Sequence, residues 1–225
     1  MNGEIAASAR PGDARADEDE MAVRVRLLGP ADRAAAVAVS RAAFRGSAFY
    51  ERATGLDAAG FDAYWDPFFA LALADPHARV FGLERDGRVI GLLVAGLHGF
   101  PGAWRGLCFL VRLLARVGLR PWLGYLAFVL AYERVMRRPA AERRIEARGL
   151  WLMVRPQPHC GGLGSRLLSE ACAAVSREGR TLQTGFFDAD DPRLRSLYEH
   201  LGFTTTPAFP FRGCRAALNV RRSLP

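Results

Sequence analysis

The chain has 225 residues, a length typical of one to one and a half domains. Half of the residues are hydrophobic and 24% are charged, which predicts a globular protein and excludes a disordered one. The four cysteines are widely spaced and form no Cys-x-x-Cys pair, which argues against a disulfide scaffold or a zinc ribbon and favours the reducing cytoplasm. Because the sequence contains neither an apolar run of membrane-spanning length nor an N-terminal signal pattern, we expect no membrane span and no secretion.

The net charge of +8 is unevenly distributed along the chain. Residues 1–22 carry six acids and two arginines and predict a disordered acidic tail, which leaves about +12 on the remainder. A basic body is typical of proteins with an anionic partner, such as nucleic acid, an acidic membrane or a phosphorylated cofactor. All 31 basic residues are arginines, however, and the codon bias of a GC-rich genome explains that pattern equally well.

Residues 23–100 predict a strand, helices and a hairpin in that order. Apolar residues alternate with arginines over 23–27, as in a strand, and the next segment to Phe44 begins with Pro30 at a helix start. A second helix opens at Asp57. Asp86-Gly87 then separates two apolar runs and predicts an antiparallel hairpin.

Residues 101–146 predict two apolar helices, 107–119 and 122–136, broken at Arg120-Pro121 and followed by an arginine-rich run. Two interpretations stay open. The sequence favours an insertion that caps a pocket or forms a dimer interface, and the alternative is a hairpin on a membrane surface. Neither stretch is long enough to span a bilayer.

The last third of the chain predicts alternating strands and helices. Leu150 to Val154 is a continuous apolar run typical of a central strand, and a helix follows it after a glycine-rich turn. Thr181 to Phe187 predicts another strand. A helix opens at Asp191-Pro192 and ends at Gly202, and Cys214 to Arg222 predicts a last edge strand.

The glycine-rich turn predicts an anion-binding site. It reads His159-Cys160-Gly161-Gly162-Leu163-Gly164-Ser165, between the central strand and a helix. Glycines at a helix N-terminus leave the amide N–H groups accessible, and the helix dipole adds positive potential there. The spacing fits neither a phosphate-binding Walker loop nor a dinucleotide fingerprint.

This turn, with Val154-Arg155-Pro156 before it, resembles motif A of the GNAT acyltransferase superfamily. The downstream Asp191-Pro192-Arg193, Leu197-Tyr198-Glu199 and Gly202-Phe203 resemble its motif B. The likeness covers residues 147–222 well and 23–100 loosely. His159, Gly161 and Asp191 depart from the residues usual at their positions.

The resemblance implies an α/β fold: a GNAT-like mixed, largely antiparallel sheet with helices on both faces. It would form one domain over residues 23–222, with the helical insertion at 101–146.

The resemblance also implies acetyl-CoA as acyl donor, with no metal. The backbone of Leu152, Met153 and Val154 would pair with the pantetheine arm like an added strand. Asp191 would contact the pantetheine or brace the loop, and Tyr198 would lie near the sulfur as the catalytic acid. The amides of residues 160 to 164, with Ser165, would hold the pyrophosphate, and Arg166 could reach phosphate. The cofactor-binding residues implied in this turn and helix are His159, Cys160, Gly161, Gly162, Leu163, Gly164, Ser165 and Arg166.

The predicted function is transfer of an acetyl group to an amine by direct attack in a ternary complex. The acceptor would be a small-molecule or peptide amine of unknown identity, and we expect no nucleic acid, since the arginine-rich run lacks aromatics for base stacking. Glu146, Asp188, Asp190 and a water chain all stay open as general base. The alternatives are a non-catalytic acyl-CoA-binding module, or a membrane-surface protein that uses residues 101–138.

Overall fold

The computed structural model describes residues 23–143, 146–156 and 161–221, and side chains are described for all of these except 137–143, 183–184 and 221. The strands are β1 Val23–Leu27, β2 Ala78–Arg85, β3 Arg88–Leu97, β4 Ala147–Val154, β5 Leu182–Thr184, β6 Phe186–Asp188, β7 Phe203–Thr205, β8 Phe209–Phe211 and β9 Cys214–Arg221. The helices are α1 Arg33–Phe44, α2 Ala48–Thr54, α3 Ala58–Ala72, α4 Ala103–Val117, α5 Leu119–Arg143, α6 Leu163–Arg177 and α7 Pro192–His200, and a 3-10 turn at Pro30–Asp32 precedes α1.

Two sheets form the centre of the molecule. The first has five strands in the order β1-β2-β3-β4-β5, antiparallel except for the parallel pair of β4 and β5. The second has β9 paired antiparallel with β6, β7 and β8. The predicted mixed, largely antiparallel sheet is confirmed.

Helices cover the sheets on both faces, as predicted. One hydrophobic cluster contains residues of α1 to α5 and is rich in aromatic side chains, with Trp65 and Phe69 fully buried. The other lies under α6 and α7 and is largely aliphatic, with Leu167 and Leu168 at its centre. No described helix is both long and apolar enough to cross a bilayer.

Local signals position several element ends. The Asp57 side chain accepts a hydrogen bond from the Gly60 amide at 2.7 Å and caps α3. Asp86 and Gly87 both have positive φ, which matches the tight hairpin predicted between β2 and β3. Gly202, at φ +78°, follows the end of α7 in the left-handed conformation that ends many helices.

Three predictions about elements are wrong in detail. The break between the two insertion helices lies at Gly118 and not at Arg120-Pro121, because proline is tolerated in the first turn of α5. The run 181–187 is not one strand: it divides at Gly185 between the two sheets. The last strand is not an edge strand, since β9 pairs with three others. The short helix α2 has no counterpart among the predicted elements.

Candidate functional site

The strands β4 and β5 form a fork. They pair only over Ala147 to Gly149, and the Gly185 amide closes the pairing by donating to the Gly149 carbonyl at 2.8 Å. Beyond that point the two strands separate, and no described strand pairs with Leu150–Val154 on this side. The outer half of β4 therefore presents backbone N–H and C=O groups to an opening in the molecule.

The fork requires glycine at position 185. A Cβ built on Gly185 would lie 2.7 Å from the Gly149 carbonyl oxygen and 3.2 Å from the Tyr132 hydroxyl oxygen. The distance to the carbonyl oxygen leaves no room for a methyl group unless the backbone shifts, and the distance to the hydroxyl is tight. The absence of a side chain therefore allows the strands to meet here.

A β-bulge in β4 lies directly beside the fork. Val94 and Ala95 of β3 face Trp151 and Gly149, so Leu150 has no partner in the register. The extra residue turns the Leu150 and Trp151 side chains toward the same hydrophobic cluster. A β-bulge changes the direction of backbone N–H and C=O groups, and this one does so where β4 and β5 separate.

A cavity of about 200 Å³ occupies the opening. Its walls are the outer half of β4, parts of α1 and α7, the α1–α2 loop with the start of α2, and the start of β6. The lining residues are Ala43, Phe44, Ser47, Tyr50, Leu93, Gly149, Leu150, Trp151, Leu152, Met153, Val154, Gly185, Phe186, Leu194 and Tyr198. This set contains Leu152, Met153, Val154 and Tyr198, four of the predicted site residues, and no Asp, Glu, Arg or His among the described residues.

The N-terminus of α6 begins shortly after β4 ends. Gly162 precedes the helix at φ +80°, a conformation that favours glycine, and the helix has no side-chain N-cap. The first amides, those of Leu163, Gly164 and Ser165, lie in the turn that lacks intrahelical partners. A Cβ at Gly161 or Gly162 would meet open space. The arrangement fits an anion in geometry and in sign of charge.

Some predicted phosphate-binding residues have other contacts or cannot be placed. The Arg166 Nε donates to Glu170 at 3.0 Å, one turn along α6, so any contact with phosphate competes with this ion pair. His159 and Cys160 lie outside the described residues.

Asp191 is the N-cap of α7. Its Oδ1 accepts from the amides of Arg193 at 2.9 Å and Leu194 at 3.3 Å. This contact holds the start of α7 in place, and Leu194 in turn lines the cavity.

Tyr198 lies on α7 and is 6% exposed. Its ring packs against Phe187 and Phe203, with centroid distances of 5.5 and 5.7 Å. Burial, with a smaller contribution from Tyr50, raises the pKa of Tyr198 above the usual value for a phenol. The side chain therefore keeps its proton at neutral pH while lining the cavity.

The candidate bases lie near the fork but not in the cavity wall. Glu146 is exposed at the start of β4. Asp188 Oδ1 accepts from the Asp190 amide at 3.0 Å, and the Asp190 carboxylate pairs with Arg215 at 2.7 Å. The structure leaves these alternatives open. Within the described residues, no group of three or more His, Cys, Asp or Glu is placed to hold a metal ion.

Two tyrosines at the site have no counterpart among the predicted residues. Tyr50 of α2 lines the cavity, and burial raises its pKa, with smaller contributions from Asp188 and Asp191. Tyr132 of α5 places its buried hydroxyl at the fork without a hydrogen-bond partner among the described residues. Both lie outside the motifs: Tyr50 is in a helix that was not predicted from the sequence, and Tyr132 is in one predicted from its apolar residues alone. Gly185 carried a usable signal, since glycine inside a strand pattern often marks a bulge or close approach.

The chain matches no family model, and no curated protein is significantly similar to it in sequence. Solved structures do resemble it. The polyamine N-acetyltransferase of Drosophila melanogaster has a TM-score of 0.57 at 14% identity, covering 88% of this chain and 97% of that one. PaiA N-acetyltransferase from Thermoplasma acidophilum, in complex with coenzyme A, has a TM-score of 0.53 at 12% identity, covering 88% and 98%. FeeM, an N-acyl amino acid synthase from uncultured soil microbes, has a TM-score of 0.56 at 17% identity, covering 89% and 90%.

The fold is therefore that of the GNAT N-acetyltransferases, as the two sequence motifs indicate. At these identities the likeness is one of fold, and the function follows from the site.

Proposed function

We propose that the chain is an N-acyltransferase that moves an acetyl group from acetyl-CoA to an amine. One observation carries the proposal: the free edge of β4 runs from the fork at Gly149 to Val154, and the uncapped N-terminus of α6 follows it. The donor has an extended arm with an anionic group at one end and a reacting thioester at the other. The arm would lie along the β4 edge, with the anion at the N-terminus of α6 and the thioester near the fork. The fold neighbour that holds coenzyme A supports the same choice of donor.

The residues at the site match the parts of such a donor. The backbone of Leu152, Met153 and Val154 would hydrogen-bond the pantetheine as a further strand would. The amides from Gly161 to Ser165 would hold the pyrophosphate, because they point outward from a helix start with positive potential. Acetyl-CoA would supply the activated acyl group, and the chain would orient it against the amine.

Tyr198 lines the cavity, which supports a role for it at the departing sulfur. As the amine nitrogen bonds to the carbonyl carbon, the carbon–sulfur bond breaks and the sulfur leaves with the electron pair. The amine nitrogen would lose its extra proton to water or to one of the candidate bases, and solvent would return a proton to the Tyr198 phenolate after the transfer. Tyr198 would donate its proton to that sulfur. Burial raises the pKa of Tyr198, which weakens it as an acid, but the same dry surroundings raise the proton affinity of a thiolate beside it.

Acetyl-CoA binding is tested by replacing a glycine at each end of α6. Gly162→Glu places a carboxylate where the phosphate would bind. Gly179→Glu is the matched control, since Gly179 also has positive φ, at +72°, and open space around its Cβ position. Acetyl-CoA should raise the melting temperature of the parent and of Gly179→Glu, because a ligand that binds the native state stabilises it. Gly162→Glu should lose that rise.

Two results would contradict the proposal. Equal rises in both variants would remove the phosphate site from α6. A rise in melting temperature without thiol release, across a panel of small amines and peptide N-termini, would instead indicate a non-catalytic acyl-CoA-binding module.

A further inference from the structure

Packed aromatic rings form the wall of the cavity next to the fork. Phe44 lies between Tyr50 and Trp151, with ring centroids 4.8 and 5.0 Å away, and Tyr50 and Trp151 are themselves 5.5 Å apart. Phe44 and Trp151 are buried, at 7% and 8% exposure. Because each ring is held by its neighbours, this end of the cavity has a fixed apolar surface.

Among the described residues that line this wall, none is charged. Its polar side chains are those of Ser47, Tyr50 and Tyr198. Asp188 and Asp191 lie close enough to raise the pKa of Tyr50, but neither lines the cavity. The Oδ1 atom of each already accepts hydrogen bonds from backbone amides.

An apolar, uncharged wall discriminates between substrates by a simple physical rule. A cationic or anionic group that enters it gives up hydration and contacts no described lining side chain of opposite charge. An alkyl or aryl group gains about fourfold in affinity for each methylene that is removed from water. This wall lies beside Gly149 and Gly185, at the end of the free β4 edge where the reacting thioester would lie. The group that contacts it is therefore the one next to the reacting centre.

We propose that this end of the cavity selects substrates that carry an apolar, uncharged group beside the reacting centre, and that it rejects polyamines and acidic acyl groups. The inference rests on the proposed acyltransferase function. The apolar group could belong to the amine or to the acyl chain, since both would meet at the fork, and the experiment separates these two sources.

Isosteric pairs test the inference. In the amine arm, pentylamine is compared with putrescine, which replaces the terminal methyl by an ammonium. In the acyl arm, pentanoyl-CoA is compared with succinyl-CoA. The readouts are kcat/KM and the ligand concentration that gives a half-maximal rise in melting temperature, with CoA present in the amine arm. In the arm whose group occupies the cavity, the apolar member should be favoured at least tenfold in both readouts.

Ser47→Asp places a carboxylate in the wall without threatening the fold. Ser47 precedes α2 at its N-cap position, where aspartate is a favourable residue. If the parent identifies the amine arm, the ratio of putrescine to pentylamine kcat/KM should be at least fivefold higher in the variant than in the parent. If the parent identifies the acyl arm, the variant should disfavour succinyl-CoA more strongly than the parent does. Ser176→Asp, which adds the same charge on an exposed part of α6, should leave both ratios within twofold of the parent.

The outcomes are distinguishable. If the charged member is equal or better in both arms, or if Ser47→Asp and Ser176→Asp give the same ratios, the inference is overturned while the proposed function stands. If the parent shows neither a rise in melting temperature with CoA nor acyl transfer to any amine, the proposed function is overturned and the inference falls with it.

Discussion

Tyr198 is both a packed core residue and the candidate acid. Tyr198→Phe keeps the ring contacts and removes only the hydroxyl, so the melting temperature should change little. Steady-state kinetics should show kcat lower by about 10²-fold, in the range expected for losing a general acid, with KM for acetyl-CoA unchanged.

The pH dependence of Tyr198 has a definite sign. Because burial raises its pKa, the protonated form persists through pH 10, so deprotonation of this group should cause no fall in kcat below that pH. A pH–rate profile of the parent checks this. Near-parental kcat in Tyr198→Phe, with acetyl transfer rate-limiting, would assign the residue to packing alone.

Tyr132 presents a different case, since its hydroxyl is buried and has no partner among the described residues. A buried unpaired donor costs free energy in the folded state. Tyr132→Phe should therefore raise the free energy of unfolding by about 1 kcal/mol, measured by chemical denaturation. Tyr125→Phe is the control on the same helix, because the Tyr125 hydroxyl contacts that of Tyr64 at 3.5 Å. A loss of stability in Tyr132→Phe larger than in the control would show that the hydroxyl has a partner.

Among the elements, β4 and β5 decide whether the site exists. Gly185→Ala adds a methyl group 2.7 Å from the Gly149 carbonyl, so the strands must move apart. Overpacking of this kind costs about 1–3 kcal/mol, and we expect a lower melting temperature together with a smaller response to acetyl-CoA. Gly102→Ala is the control: its Cβ position has open space, so only the weaker N-cap of α4 should lower the melting temperature slightly, and the response to acetyl-CoA should be unchanged. Parental behaviour in Gly185→Ala would mean that the fork tolerates separation.

The insertion helices α4 and α5 have buried contacts on one side and exposed apolar side chains on the other. On its inner side α5 contributes the buried Tyr125 and Phe128, and Glu133 holds Arg148 of β4 at 3.0 Å. On the outer side, large apolar side chains of both helices stay exposed: Trp104, Leu107, Val111, Leu119, Leu123 and Leu130. The inner contacts pack α5 against the core beside the fork, but neither insertion helix contributes a described residue to the cavity wall. The predicted cap and the predicted dimer interface therefore both stay proposals.

For the whole molecule, the exposed apolar face predicts self-association. Leu107 and Val111 are 53% and 58% exposed, so replacing both by glutamate should leave the melting temperature nearly unchanged. Sedimentation velocity should show a dimer for the parent and a monomer for the double variant. A parent that stays monomeric at all concentrations would contradict the dimer. Flotation of the parent with anionic vesicles, lost in the variant, would favour the membrane alternative.

Local patterns predicted the parts of the fold that local physics controls. Alternation predicted β1, Asp86-Gly87 predicted the first hairpin, and Asp57 and Gly202 predicted helix ends, because each depends on the backbone preferences of a few neighbouring residues. The glycine-rich turn and the Tyr198 segment were recognisable for the same reason, since their residue types and spacing lie within short stretches of chain.

The tertiary structure alone decided where the chain changes partners. The run 181–187 looks continuous in the sequence, yet it divides at Gly185. The residues before Gly185 pair with β4, and the residues after it pair with β9. Likewise Tyr50 and Tyr132 belong to separate helices, and only packing brings Tyr50 to the cavity and the Tyr132 hydroxyl to the fork beside it. Strand pairing and side-chain convergence depend on contacts between distant residues, which periodicity along the chain does not record.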